Sequence, residues 1–144
     1  MKKCYLDSNV LVYFKDERSL YHKKVVEKIL FLAKNGFYFY VSSLVLDEFL
    51  YVFRYFLEKK EKKDIFLKLK KALVEILDIP NLSILSLPKE KEKQIEVVSY
   101  MKKYHLSPRD AYHLMTMKKN AIDYFFTFDE DFDLVFKEKF LKEI

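Results

Sequence analysis

The sequence predicts an α/β protein, built as a three-layer α/β/α sandwich around a small, mainly parallel central sheet. Short apolar runs rich in aromatic and branched residues alternate along the 144-residue chain with longer segments whose apolar residues recur at helical spacing. Strands that are separated by helices pair in parallel and are covered by helices on both faces. Because 51% of the residues are hydrophobic, the chain can bury a sizeable core. We therefore expect a single domain that spans residues 1–144.

Four apolar runs predict the strands of this sheet. The first run ends directly at Asp7, and the second is dense in aromatic residues. The segment 134–144 is ambiguous between a short strand and a helix, and its part 136–144 favours a helix. The predicted strands are residues 2–6, 37–41, 82–87 and 123–127.

Helical spacing, together with the residues that start and stop helices, predicts six helices. Gly36 is the only glycine, and we expect it in the left-handed conformation that follows a helix. Ser107 followed by Pro108 is typical of a helix start, with a hydroxyl at the N-cap and a proline at the first helical position. The charged run 58–63 predicts a solvated hairpin between two helices. The predicted helices are residues 8–14, 20–34, 43–57, 64–77, 88–104 and 108–120.

Composition and charge limit the class of protein. The formal charge of +5 permits a polyanionic partner but does not establish one. No apolar run approaches the roughly 18 residues of a membrane span, and the N-terminal run meets Asp7 too early for a signal peptide. Cys4 is the only cysteine and cannot form an internal disulfide, so we expect a reducing, cytoplasmic location.

Asp110 occupies an unusual position on the helix that begins after Ser107. It shares one side of that helix with apolar residues four residues before it and four and seven residues after it. These neighbours are Leu106, Leu114 and Met117. A charge on an apolar face is costly unless a hydrogen-bond donor, a cation or a metal pairs with it. Ser-x-x-Asp is also a capping box, in which the acid bonds the N-cap N–H, and the sequence leaves both interpretations open.

Four acids are expected to lie at one edge of the sheet. In an open parallel sheet, sites form beyond the carboxyl ends of the strands. Asp7 follows the first strand directly, and Asp129 follows the fourth. Glu48 lies on the helix after the second strand, and Asp110 lies on the helix before the fourth. Each acid has a structural alternative, as a cap or at a helix boundary. Asp131 and Asp133 are more typical of solvated turn residues.

Converging carboxylates repel one another and bind protons unless a cation neutralises them. Ligation by oxygen alone suits Mg²⁺ or Mn²⁺ rather than zinc. An ion of this kind can position a water for in-line attack on a phosphodiester. The four acids therefore favour a metal-dependent nuclease.

Other chemistries fit the sequence less well. A single glycine rules out a glycine-rich phosphate cradle, and no local pattern makes Cys4 a nucleophile. The three histidines, His22, His105 and His113, form no metal-binding motif. His113 follows Asp110 by three residues, and we expect it to be a packed, hydrogen-bonded core histidine.

Four motifs, in this order and at this spacing, resemble the PIN-domain family, and within it the VapC-type toxins of toxin–antitoxin pairs. The resemblance covers essentially the whole chain and implies a metal-dependent endoribonuclease on a PIN-like sandwich. The motifs are YLDSNVL at residues 5–11, Ser42 followed six residues later by Glu48, RDA at 109–111 and TFDEDF at 127–132.

The resemblance also implies roles for individual residues. The acidic quartet, which holds Mg²⁺ or Mn²⁺ and carries catalysis, consists of Asp7, Glu48, Asp110 and Asp129. Asp131 is a candidate to share the role of Asp129. The resemblance gives Asn9 and Thr127 supporting roles, and Arg109 is a candidate for contacts with RNA phosphates. Ser8 stands where threonine is more usual in the family.

Toxins of this family usually form homodimers and are held inactive by a cognate antitoxin that inserts a segment towards the acidic cleft. One set of apolar residues could supply such an interface, although we expect its members to be core: Tyr51, Phe53, Tyr55 and Phe56. On the helix 88–104, Ile95, Val98 and Met101 are expected to face inward. The alternatives for function are a PIN nuclease of RNA maturation or decay without an antitoxin, a non-catalytic RNA-binding module and a DNA nuclease.

Overall fold

The computed structural model describes residues 1–60 and 63–144, and in this part of the chain five strands form one parallel sheet. The strand order is β3-β2-β1-β4-β5, and every neighbouring pair is parallel. The sequence predicted the first four strands, and no predicted end differs from the observed one by more than two residues. The strands are β1 Lys2–Leu6, β2 Phe37–Ser42, β3 Leu82–Leu85, β4 Tyr124–Phe126 and β5 Lys142–Glu143.

Strand β1 lies at the centre of the sheet, between β2 and β4. Cys4, Tyr5 and Leu6 are fully buried, as expected for a strand that is covered by helices on both faces. In the register of the sheet, Tyr5 lies between Tyr40 of β2 and Phe125 of β4. Because all strands run in the same direction, their carboxyl ends meet at one edge, where Asp7 follows β1 directly.

The helices form two groups, and the main contacts between helices lie within each group: α1 to α4 form one group, and α5 and α6 form the other. The fold is the predicted α/β/α sandwich. Ser107 caps α6 and Pro108 is its first residue, whereas Gly36 follows α2 with φ +78°, as the sequence predicted. No helix in the described residues is long and apolar enough to cross a membrane. The helices are α1 Ser8–Lys15, α2 His22–Lys34, α3 Ser43–Lys60, α4 Ile65–Leu77, α5 Lys91–Tyr104, α6 Pro108–Lys119 and α7 Asp133–Lys137.

The C-terminal segment 134–144 contains both of the alternatives that the sequence left open. Helix α7 ends at Lys137, and Lys139 then adopts a left-handed conformation with φ 58°. The chain turns there and returns to the sheet, where the backbone N–H of Lys142 donates to the carbonyl of Asp123 at 2.8 Å. The expectation of a helix over 136–144 was therefore wrong from residue 138 onward. Edge pairing with β4 overrides the helical spacing there.

Helix α5 turns a different face inward from the one that the sequence predicted. Ile95 and Val98 are 74% and 62% exposed, whereas Val97 and Tyr104 are buried. The Tyr104 ring stacks on Tyr100 with 6.3 Å between ring centroids, so aromatic packing determines which side of α5 faces the core. Only Met101 of the three predicted residues lies on the partly buried side.

Two of the aromatic residues on α3 that we expected in the core are exposed. Tyr51 and Tyr55 are 79% and 51% exposed, whereas Phe53 and Phe56 are partly buried against the core. The predicted hairpin 58–63 lies in part outside the described residues, because α3 continues to Lys60 and residues 61 and 62 are not described.

Replacing Phe125 by alanine should destabilise the protein by about 3–5 kcal/mol, because the fully buried ring leaves a cavity in the middle of the sheet. Its ring makes an edge contact with Phe132 at 4.8 Å between centroids. Urea unfolding measures this change, and the dependence on urea concentration should stay the same. The matched control is Phe31→Ala on the exposed side of α2, which should change stability by no more than about 0.5 kcal/mol. Equal effects of the two substitutions would contradict the position of Phe125 in the core.

Candidate metal centre

Asp7 is buried where β1 ends and is surrounded by hydrogen-bond donors. Its Oδ2 accepts the hydroxyl of Thr127 at 2.5 Å and the side-chain amide of Asn9 at 3.2 Å. Its Oδ1 accepts the backbone N–H of Ser8, so Asp7 is also the N-cap of α1. Burial raises the pKa of Asp7 above its ordinary value, and the hydrogen bonds from Thr127 and Ser8 offset part of this effect.

Thr127 connects the end of β1 to the loop that follows β4. While its hydroxyl donates to Asp7, its Oγ1 accepts the backbone N–H of Asp129 at 2.9 Å. Asn9 makes a second connection, because its Oδ1 accepts the backbone N–H of Phe128 at 3.3 Å. The structure therefore brings together the two residues to which the sequence gave supporting roles, and both hold the loop that carries Asp129.

Asp110, Asp129 and Asp131 form an acidic cluster, in which each residue offers a carboxylate oxygen within 4.8 Å of the others. Asp110 and Asp129 are half-buried, and Asp131 is exposed. Burial, and then the negative charges of Asp129 and Asp131, raise the pKa of Asp110 above its ordinary value. No Lys or Arg of the described chain lies within 4 Å of these three carboxylates.

Caps are also present at this cluster, although the described hydrogen bonds give the carboxylate of Asp110 the hydroxyl of Ser107 and not the N-cap N–H of the expected capping box. The hydroxyl of Ser107 accepts the backbone N–H of Asp110 and donates to Oδ2 of the same residue at 2.7 Å. Asp129 caps a 3₁₀ turn over Glu130–Phe132, because its Oδ1 accepts the backbone N–H of Asp131. Among the described hydrogen bonds, both caps leave the second carboxylate oxygen uncommitted. The cluster thus offers oxygen atoms, net negative charge and no paired cation, which is the donor set that fits Mg²⁺ or Mn²⁺.

Glu48 lies in a different environment, because basic groups and hydroxyls surround it. Its Oε1 accepts Nε2 of the buried His113 at 2.8 Å and lies 3.5 Å from Nε of Arg109. Its Oε2 accepts the hydroxyl of Ser8 at 2.9 Å. Burial by itself raises the pKa of Glu48, but these hydrogen bonds and the charge of Arg109 outweigh it and lower the pKa below its ordinary value.

The structure thus divides the predicted acids into two environments. Asp110, Asp129 and Asp131 converge in the acidic cluster, whereas Asp7 and Glu48 are not members of it. Asp7 and Glu48 are close enough for the charge of Glu48 to raise the pKa of Asp7. Arg109, the candidate for contacts with phosphates, faces Glu48.

His113 is packed and hydrogen-bonded, as the sequence predicted, but its partner is the candidate ligand Glu48. Sequence reasoning missed this contact, because the spacing of three residues after Asp110 does not indicate which group the imidazole faces. It also gave no role to the Ser8 hydroxyl, which contacts the same carboxylate. A polar ring on the buried side of a helix that carries an acid was the only indication in the sequence.

A model of the PIN domain family matches residues 4–137 of the chain. The chain belongs to the PIN domain family. Sequence analysis identified the resemblance correctly, and the parallel sheet with acids at its carboxyl edge agrees with it. No curated protein matches the sequence.

Solved structures share the fold. FitAcB from Neisseria gonorrhoeae matches with a TM-score of 0.65 and 18% identity, over 98% of this chain and 96% of that one. VapBC2 from Rickettsia felis, solved with a DNA fragment from the promoter, matches with a TM-score of 0.63 and 19% identity, over 91% of each chain. VapC20 from Mycobacterium tuberculosis, a toxin that cleaves the sarcin–ricin loop, matches with a TM-score of 0.61 and 15% identity, over 90% and 92%. At these identities the likeness shows the fold.

Replacing Asp110 by asparagine should stabilise the protein at neutral pH when no divalent metal is present. The raised pKa means that Asp110 binds its proton more tightly in the folded than in the unfolded protein, so its ionisation opposes folding as the pH rises above 3.8. Asparagine keeps an oxygen for Ser107 but carries no charge. Thermal unfolding in a chelator should show a higher midpoint for Asp110→Asn at pH 7, and the gain should shrink towards pH 4.

The control for this prediction is Asp123→Asn, which makes the same change of charge at an exposed residue and should leave the midpoint nearly unchanged. A midpoint for Asp110→Asn that equals or falls below that of the wild type at pH 7 would contradict the electrostatic description of the acidic cluster.

Proposed function

We propose that this chain is a metal-dependent endoribonuclease, and that it is the toxin of a toxin–antitoxin pair. The observation that carries the proposal is the acidic cluster at the carboxyl edge of a PIN-domain sheet, with oxygen donors and no Lys or Arg paired to it in the described residues. The toxin VapC20 and the VapBC2 and FitAcB structures, which share the fold, support the toxin class.

In the proposed mechanism, Asp110, Asp129 and Asp131 hold Mg²⁺ or Mn²⁺, and Asp7 and Glu48 complete the acidic site. The ion, when bound, supplies a water of lowered pKa and offsets the charge of the phosphodiester. Thr127 and Asn9 hold Asp7 and the loop with Asp129 in place, through the hydrogen bonds described above. These residues fix the positions of the acids before RNA binds, and such preorganisation lowers the cost of reaching the transition state.

Basic residues near the site support an anionic substrate. Arg109 lies beside Glu48. Lys24 and Lys28 of α2 line one side of a cleft of about 380 Å³, whose other lining residues include Thr127 and the acids Asp129, Glu130, Asp133 and Glu143. We propose that Arg109 and these lysines contact RNA phosphates on either side of the bond that is cleaved. The positive charge of the whole chain, +5, favours the approach of a polyanion.

An exposed apolar surface on α3 and α4 supports a protein partner. Phe66 is 71% exposed and lines the same groove as Tyr51, which is 79% exposed. Arg54 and Lys70 line the groove between these helices. Large exposed apolar patches with a polar rim mark interaction sites. We propose that an amphipathic segment of the cognate antitoxin, with acidic residues facing this rim, binds here.

The homodimer and the cytoplasmic location are also parts of this proposal. Light scattering of the purified protein measures its mass in solution and tests the homodimer. The buried, free Cys4 is compatible with a reducing compartment.

Replacing Asp7 or Asp110 by asparagine should reduce RNA cleavage by more than about 100-fold, because each change removes an anionic oxygen from the site while the side chain keeps its shape. The measurement is the rate of cleavage of a labelled RNA with Mg²⁺ or Mn²⁺, with circular dichroism to verify the fold. The exposed Asp123→Asn is the control and should cleave at the wild-type rate. If Asp110→Asn cleaved as fast as the wild type, Asp110 would have no part in the mechanism.

Replacing Tyr51 and Phe66 together by lysine should weaken the complex with the antitoxin by about 30-fold or more, since loss of a buried aromatic contact costs about 2 kcal/mol. The binding partner in this test is the proposed cognate antitoxin, purified and titrated by calorimetry. Ile95→Lys is the control, because Ile95 is equally exposed but lies on α5. Equal affinities for all three proteins would exclude the α3–α4 surface.

A further inference from the structure

His113 is a buried polar residue whose hydrogen bonds link the core of the sheet to the acidic edge. Its side chain is 1% exposed, and its two ring nitrogens have different partners. Nε2 lies 2.8 Å from Oε1 of Glu48, and Nδ1 lies 3.1 Å from the hydroxyl of Tyr5. The Tyr5 hydroxyl lies 2.7 Å from Oγ of Ser42 at the end of β2. A continuous chain of buried groups from β2, β1 and α6 therefore ends on the carboxylate of Glu48.

The partners on both sides determine the role of the ring. A carboxylate only accepts hydrogen bonds, so Nε2 carries a proton and donates it to Glu48. Burial raises the pKa of the Tyr5 hydroxyl, which stays protonated and occupies the Nδ1 side. With a partner on each nitrogen, the imidazole has one orientation and presents one donor to Glu48.

The hydrogen bonds also distinguish the two oxygens of Glu48. Oε1 faces both His113 and Arg109, whereas Oε2 accepts only the Ser8 hydroxyl among the described hydrogen bonds. A carboxylate oxygen has two lone pairs, so Oε2 keeps one for a further ligand or a water. His113 thus holds the carboxylate by one oxygen and leaves the other oxygen available.

We propose that His113, oriented by Tyr5, is a positioning residue that fixes the Glu48 carboxylate so that Oε2 serves the metal site. The proposal rests on the function proposed above and adds a residue to it. Partners that orient a ligand in this way are typically worth about 10–100-fold in metal affinity. A histidine that only fills space in the core would not affect metal binding at all.

The test is the affinity of the RNA-free protein for Mn²⁺, measured by electron paramagnetic resonance, in five variants. His113→Leu should weaken the affinity by about 10–100-fold. His113→Gln should retain most of the wild-type affinity, because the amide of glutamine can donate to Glu48 from a similar position. Tyr5→Phe keeps the buried ring, removes only the hydroxyl and should cause a smaller loss. In the background of Glu48→Gln, His113→Leu should cause no further loss, because the residue acts through Glu48.

Near-ultraviolet circular dichroism verifies the fold of each variant, and Tyr5→Phe decides the question if His113→Leu does not fold. The positioning role would be overturned if Tyr5→Phe and His113→Leu both bound Mn²⁺ with the wild-type affinity. It would also be overturned if His113→Leu caused the same loss of affinity in the wild-type and in the Glu48→Gln background. In that case, Mn²⁺ binding and RNA cleavage by the wild type would leave the proposed function intact. A wild-type protein without saturable Mn²⁺ binding would contradict both.

Discussion

Asp7 is a buried carboxylate at the end of the central strand, and the rest of the site depends on how its charge is accommodated. The interior disfavours its ionised form, and the donors that offset this cost come from Ser8, Asn9 and Thr127. Thr127 can donate to Asp7 only if β4 ends beside β1, and the same hydroxyl then holds the backbone of Asp129. The accommodation of one charge thus fixes the loop that carries another ligand candidate.

The acids of the site divide into one group whose carboxylates each accept several hydrogen bonds and one group whose carboxylates face one another. Glu48 receives hydrogen bonds from His113 and Ser8, and its pKa is lowered. Asp110 faces two other carboxylates, and its pKa is raised. Because the pKa of Glu48 is lowered and that of Asp110 is raised, we infer that the uncompensated negative charge is located at the acidic cluster rather than spread over the site. A divalent cation bound there would offset the repulsion between these carboxylates, which is why metal binding and stability should be coupled.

The sequence was sufficient to predict the sheet, because strands and helices alternate and the residues that start and stop them are easily recognised. It was insufficient where long-range contacts outweigh local spacing. Residues 142–143 join the sheet because β4 offers an unpaired edge, and α5 turns Val97 rather than Ile95 inward because Tyr104 packs on neighbouring aromatic rings. The contact between His113 and Glu48 joins residues 65 positions apart on different helices, so no local pattern could predict it.

The sequence left open whether Asp110 and Asp129 act as caps or as metal ligands. The structure shows that the two roles do not exclude each other. Asp110 and Asp129 each use one carboxylate oxygen in a local hydrogen bond at a helix or turn start, and each has a second oxygen left. The cap restricts the rotamer of the side chain, and the remaining oxygen is then directed without further loss of entropy on binding. Capping at the carboxyl edge of a parallel sheet is therefore a means of holding like charges together before a cation arrives. Two hydroxyls position these acids: that of Ser107, which caps α6, and that of Thr127, which accepts the backbone N–H of Asp129.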